Sequence, residues 1–444
     1  MKKIVSAALV ASMVAGAAFA EVTVSQNFRF RPNMLKVESI DKTSSKDAYT
    51  KTTFADLDAY GACSDTLGIA AKTDFAGLKA ELTLTSGITK NGNAVTFNNS
   101  AYVNDGASNV NIDNYYGWLN WGAFKLTGGV YDSRFTSRGN YTATEEGILD
   151  KEFAKALGLS GNLYIAGAKQ DATKNIGTCG LKDFGNVSQF DAGNYLSFLA
   201  DYTLDDIGGG KLLLKGGLVE NDADAADSKL VIKNTAISNT PYDTAKNDDG
   251  NTKYQQSAGY VFEAAWANDD LMKVDFIFKN PVNKLYGFGI YLTPMMIPQS
   301  KNVVLGFTFG TMKDTFSAFA IDARAEFDIT SEAVVALGAK YESIKPEGAD
   351  AETGLSLAAE GSYKLNDRVT LALDLGYFNY DLDDNDKADD GSQTFVVSGR
   401  GKFSAGKNAA ITTALRYTAV LNALKDNGKT TGTFDIPVVM RIKM

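Results

Sequence analysis

From Glu21 onward the chain alternates between apolar and polar side chains, in runs too long for an ordinary soluble strand. In Ser317–Ile329, Phe319, Ile321, Ala323, Ala325 and Phe327 share one face of an extended backbone, while Asp322, Arg324, Glu326 and Asp328 share the other. Successive side chains of a strand point to opposite sides, so this segment separates apolar from charged completely. The division recurs in Val369–Tyr377, where Leu371, Leu373 and Leu375 oppose Thr370 and Asp374. In Gly354–Leu365, Leu355, Leu357 and Tyr363 oppose Glu360 and Lys364. Tyr260, Phe262 and Trp266 oppose Glu263, and Val274, Phe276 and Phe278 oppose Lys273 and Asp275.

Two all-β architectures produce such a pattern. A sandwich buries the apolar face between two sheets, whereas a membrane barrel turns it outward to lipid. Length favours the second: the runs are commonly about ten to twelve residues, and membrane-crossing strands need ~9–11 where ordinary strands average ~5–6. Aromatic residues gather near run ends, at Tyr115, Tyr116, Trp118 and Trp121 and at Tyr377, Phe378 and Tyr380, as interfacial girdles require. The predicted fold is an all-β, closed antiparallel transmembrane β-barrel. Short links such as Lys72–Gly77, Asp205–Gly210 and Asn366–Arg368 alternate with long polar links such as Arg31–Asp56, Ile88–Val110 and Asn221–Lys253. An even count that keeps the two kinds in step gives about eighteen strands, with sixteen the next choice. Both termini and the short links then lie on the periplasmic side, and the long loops are extracellular.

The N-terminal segment Met1–Ala20 has the form of a secretory signal peptide. Lys2 and Lys3 precede the apolar run Ile4–Val14, and Ala18-Phe19-Ala20 is an A-x-A cleavage site. Its expected removal leaves Glu21–Met444 as a single barrel domain in the cell outer membrane. No run of ~18 apolar residues follows, so no helical span is expected.

The lumen-facing phase carries charges of both signs: Arg29, Lys79, Glu81, Lys125, Lys215, Glu263, Lys273, Asp275, Asp322, Arg324, Glu326, Lys340, Glu360, Asp374, Arg400, Lys402 and Arg416. One such charge facing lipid would cost ~2–4 kcal/mol near the midplane, so their common phase supports a polar interior. In a water-filled pore they shape the field felt by a passing ion. The longest link, Asp132–Gly193, includes a helix-like run, Thr144–Leu157, with Thr144 as N-cap. Folded inward, it would narrow the pore and present Glu145, Glu146, Asp150, Lys151, Glu152 and Lys155 to wall residues such as Arg324 and Arg400; the other reading is an external cap.

Several chemistries are excluded. The chain has no histidine, which removes Ser-His-Asp and Cys-His catalysis and His-based metal sites. No carboxylate pair stands out for acid–base work, so no enzymatic activity and no cofactor are expected. A phosphate loop at Asp205–Lys211 fails because Leu212 stands where Ser or Thr is needed, and no helix pattern follows. A calcium loop beginning at Asp381 fails at Asp386, where Gly is required, and at Ser392, where Glu is required. A formal charge of −9 argues against a nucleic-acid partner. Cys63 and Cys179 fit no metal motif; a disulfide tying the long loop to the wall and a pair of free thiols both remain open.

The segment Leu67–Leu82, LGIAAKTDFAGLKAEL, resembles the strand–turn–strand near the N-terminus of Gram-negative general porins. The pattern resemblance extends over Glu21–Met444. It implies passive diffusion of small hydrophilic solutes and ions, outer-membrane lipid as surroundings, and assembly as a homotrimer. The family usually ends in an aromatic residue, whereas this chain ends Arg441-Ile442-Lys443-Met444, a departure that points to a distant, spirochaete-type branch. The alternative function is a surface adhesin or structural barrel, with the loops as the binding element.

Overall fold

Asx and Ser/Thr turns explain how the chain reverses so often within a single sheet. At four short links a side-chain oxygen accepts two backbone N–H groups. Thr73 Oγ1 accepts from Phe75 and Ala76, and Asn268 Oδ1 from Asp270 and Leu271. Thr330 Oγ1 accepts from Glu332 and Ala333, and Asn366 Oδ1 from Arg368 and Val369. These bonds satisfy donors that the ladder cannot reach and fix the register of the next strand.

A computed structural model describes residues 21–30, 32–42, 46–56, 63–86, 88–91, 94–97, 110–131, 195–220, 258–282, 285–312, 316–346, 348, 350–379, 393–421 and 430–444. The strands among them are β1 (Glu21–Phe30), β2 (Asn33–Ile40), β3 (Tyr49–Asp56), β4 (Cys63–Lys72), β5 (Ala76–Ser86), β6 (Ile88–Asn91), β7 (Ala94–Phe97), β8 (Val110–Trp121), β9 (Phe124–Tyr131), β10 (Tyr195–Ile207) and β11 (Gly210–Glu220). They continue as β12 (Ala258–Asn268), β13 (Met272–Val282), β14 (Leu285–Pro294), β15 (Ser300–Met312), β16 (Phe316–Asp328), β17 (Ala333–Pro346), β18 (Glu352–Asn366), β19 (Val369–Asn379), β20 (Gln393–Gly406), β21 (Ala409–Leu421) and β22 (Thr430–Lys443). All strands of the main sheet pair antiparallel, and β6–β7 form a separate two-stranded hairpin.

The sheet closes on itself. β1 pairs with β22 from Asn27↔Lys443 to Phe30↔Met440, and Gln26 and Met444 exchange two backbone hydrogen bonds of 2.8 Å. Closure leaves no open edge along this seam, which a membrane-spanning sheet requires.

The sheet holds twenty strands, which corrects the expected count of about eighteen. Both additional strands, β2 and β3, come from Arg31–Asp56, read from the sequence as an external link. Their pairings explain the difference. β22 pairs with β1 along Met440–Lys443 and with β2 along Thr430–Pro437. β4 pairs with β1, and β3 with β2. The two added strands therefore prolong the first two staves lengthwise rather than widening the barrel. Pro32 and Pro437, which lack a backbone donor, mark the junction. There Asn33 replaces ladder bonds with its side chain: its Oδ1 accepts from Ile436 N at 3.2 Å and its Nδ2 donates to Asp435 at 3.2 Å.

Burial runs opposite to that of a soluble protein. On β19, Leu371, Leu373 and Leu375 are exposed, while Asp374 between them is 3% exposed. Glu263, Asp275, Glu360 and Asp435 are likewise buried, whereas Phe262, Tyr260, Leu357 and Tyr417, in the opposite phase, are exposed. A closed sheet shields one face and opens the other, so the polar phase is the enclosed one. A small apolar cluster, Ile277, Tyr291 and Val304, also lies on that enclosed phase. The long segment Asp132–Gly193, with its helix-like run Thr144–Leu157, and the N-terminal Met1–Ala20 lie outside the described residues.

Candidate functional site: the enclosed charged face

Ladder register carries one phase around the barrel, because directly paired residues share a face. Following the pairs from β1 to β22 puts every described residue predicted to face the lumen into a single phase. On β5, Lys79 and Glu81 form an ion pair of 2.5 Å, opposite Ala70 and Gly68 of β4. Across β9 to β12 a row of alternating sign runs Lys125↔Asp201↔Lys215↔Glu263. Lys215 Nζ lies 3.6 Å from Glu263, which is fully buried. Opposite charges directly across neighbouring strands stabilise the sheet and set its register.

On β13, Asp275 is buried opposite Tyr291, and Lys273 reaches down to Asp269 in the turn at 3.1 Å. Asp322 and Arg324 occupy register positions opposite Lys340 and Gly338, but their side chains lie outside the described residues. Glu326, opposite Ala336, is buried.

The densest cluster spans β18 to β20. Glu360 and Asp374 are direct cross-strand partners. Arg400 donates from Nε and Nη2 to Asp374, both at 3.2 Å, and from Nη2 to Glu360. One guanidinium thus bridges two carboxylates on the enclosed face, and the bidentate arrangement fixes all three side chains. Beside it, Arg416 is bound by Asp435 of β22. Lys402 stands opposite Thr370 and Thr412, and Arg29 opposite Arg441, whose Nε donates to Asn27 at 3.1 Å.

Arg400 is paired with wall carboxylates, while the loop charges expected opposite it lie outside the described residues. Glu145, Glu146, Asp150, Lys151, Glu152, Lys155 and Cys179 lie outside the described residues, and Cys63 opens β4. Members of the charged face that escaped the sequence reading include Asp201 and Asp435. Both sat in plain alternation, between Ala200 and Tyr202 and between Phe434 and Ile436, so period two alone could have found them. The aromatic group at Tyr115–Trp121 splits rather than forming one girdle. Tyr115 and Trp121 are exposed on the outer face, while Tyr116 and Trp118 hold the phase of Lys79 and Thr127.

Together these features define a closed antiparallel barrel with an apolar outer face and a charged enclosed face. No protein-family model matches the sequence, and no curated protein matches it. Solved structures similar in fold include an anion-selective porin from Comamonas acidovorans, at 10% identity over 95% of this chain and 100% of that one, with a TM-score of 0.45. A BenF-like porin from Pseudomonas fluorescens Pf-5 is 8% identical over 96% of this chain and 99% of its own, with a TM-score of 0.49. OpdO of Pseudomonas aeruginosa is 9% identical over 96% and 97%, with a TM-score of 0.48. The barrel assignment itself rests on the ladder pairings given above.

Proposed function

We propose that this barrel is an outer-membrane channel through which small hydrophilic solutes and ions diffuse passively. The observation that carries the reading is the inversion of burial around a closed sheet: charged residues shielded within, leucines and aromatics exposed without. In water the exposed apolar face would be a severe aggregation liability, whereas in lipid it is the required surface. Charges of both signs within tolerate only a hydrated interior, and their arrangement sets which ions pass most readily.

Met1–Ala20 is then the export signal, the short turns face the periplasm with both termini, and the long links face outward. The residues predicted to line the pore, with Asp201 and Asp435 added, form its wall. The segment Asp132–Gly193 narrows the passage. A liposome-swelling assay with purified, refolded protein tests the function. Swelling in isosmotic arabinose should be fast and should slow as the solute grows through glucose to sucrose. Folded protein that leaves swelling at the rate of empty liposomes would overturn the reading.

A further inference from the structure

Aromatic rings on a water-facing wall need a reason, because the outer face gives them lipid and the enclosed face does not. From β4 to β22 the described side chains of the enclosed face include three: Tyr116, Trp118 and Tyr291. Tyr291 is fully buried in its apolar cluster. Tyr116 and Trp118 are only half-buried and sit side by side on β8, with ring centroids 5.8 Å apart and planes tilted by 42°.

The wall is cut away to receive the Trp118 ring. Trp118 lies directly over Gly77 of β5, where a Cβ atom would stand 2.1 Å from its ring. Opposite Tyr116 is Gly129, at φ 134°, where a Cβ atom would come within 2.9 Å of the tyrosine Cβ. The Trp118 ring thus presses against bare backbone and keeps a low profile along the wall, and the strand carrying Tyr116 packs close on Gly129. A polar rim surrounds the two rings. The Lys79–Glu81 pair stands on β5, with Lys79 opposite Tyr116, and the Lys125 ammonium lies 5.4 Å from the Trp118 ring centroid. Lys79 is balanced by Glu81, and Lys125 stands opposite Asp201, so the rim is close to neutral overall.

The geometry points to a binding subsite for a neutral pyranose sugar on the inner wall at Tyr116 and Trp118, a specificity that rests on the channel reading and deepens it. A pyranose has a C–H face that stacks on an aromatic ring and a hydroxyl edge that needs donors and acceptors around it. The two rings supply the first, and Lys79, Glu81 and Lys125 supply charge-assisted partners for the second. A neutral rim favours an uncharged sugar over a sugar acid or phosphate.

The test is interruption of ion current through the full-length folded protein in a planar bilayer, with maltose as probe and acyclic sorbitol as comparator. Maltose should interrupt the current at concentrations where sorbitol does not. Trp118→Ala should raise the half-blocking maltose concentration about tenfold, the loss expected for one stacking contact. Trp118→Phe should retain part of the block. Gly77→Ala, which pushes the ring off the wall without removing it, should also weaken block, and the outer-face change Trp121→Ala should not. Current on which maltose and sorbitol act alike, or an unchanged maltose block in Trp118→Ala or Gly77→Ala, would overturn the subsite alone. A folded barrel that passes no current would overturn the channel reading and the subsite with it.

Discussion

Arg416 donates two hydrogen bonds to Asp435, from Nε to Oδ1 at 2.9 Å and from Nη2 to Oδ2 at 2.5 Å, across the last two strands of the barrel. Both side chains are buried, and Asn33 of β2 binds the same carboxylate. The cluster therefore ties the end of the chain to its beginning, beside the proline junction where ladder bonds are interrupted. Breaking a buried ion pair by removing one partner strands the other charge, which costs roughly 3–5 kcal/mol. Asp435→Asn should lower the temperature at which the folded, heat-modifiable band is lost on electrophoresis. Changing both residues, Arg416→Met with Asp435→Leu, should restore much of it. Equal losses in the single and double variants would show that the pair does not act as a unit.

The two faces make opposite demands at the same height. Ser362 and Leu373 lie on the neighbouring strands β18 and β19, with Ser362 on the enclosed face and Leu373 on the outer one. Leu373→Lys should destabilise by ~2–4 kcal/mol if it nears the bilayer midplane, whereas Ser362→Lys should cost little. Urea unfolding from liposomes measures both, and equal costs would deny that the faces differ in surroundings.

That inversion was legible in the sequence because lipid enforces it. Asp322–Ile329 alternates without exception, and β16 adopts the expected phase. Nothing comparable marked β2 and β3. Their sequences, NMLKVESI and YTKTTFAD, alternate poorly, with Thr50 and Thr52 in positions where the apolar band would require leucine or valine. Strands of eight residues with so little apolar–polar alternation carry too weak a period-two signal to be told from a loop. Pairings such as Glu360 with Asp374 and Arg400 were invisible for another reason. Phase shows that residues share a face, while strand register decides which of them touch.

The short turns hold titrating groups outside the barrel wall. The Lys364 ammonium donates to Asp367 at 2.8 Å and, with its charge, holds the Asp367 carboxyl below the usual aspartate value. Hydrogen bonds from Ser331 and Thr330 likewise lower Glu332. A lowered carboxylate stabilises the folded state above its unfolded pKa and loses that contribution as pH falls through the folded value. Both turns should therefore weaken in acid rather than at neutral pH. Carboxyl-carbon NMR titration should place the Asp367 midpoint below free aspartate, and Lys364→Met should move it up. No movement in that variant would remove the lysine as its cause.

Charge on the enclosed face should set ion preference if ions travel along it. Lys340→Glu and Lys402→Glu each replace a cation with an anion on that face. Each should shift the reversal potential in a salt gradient toward cations, and the two together should shift it further. A reversal potential unmoved by both would place the conducting path elsewhere.

Thr144–Leu157 offers a test of what limits the passage. With the segment deleted and the strands intact, conductance should rise and larger sugars should enter liposomes. Unchanged conductance in a folded deletion variant would move the constriction to the wall.

Single-channel recording of the purified, refolded protein in a planar lipid bilayer tests the central claim most directly. The account predicts discrete, stepwise increases in current, nearly linear in voltage and scaling with salt concentration, as a water-filled pore lined by fixed charges requires. Heat-modifiable, fully folded barrel that inserts into the bilayer yet gives no steps above the bare-membrane baseline would contradict it.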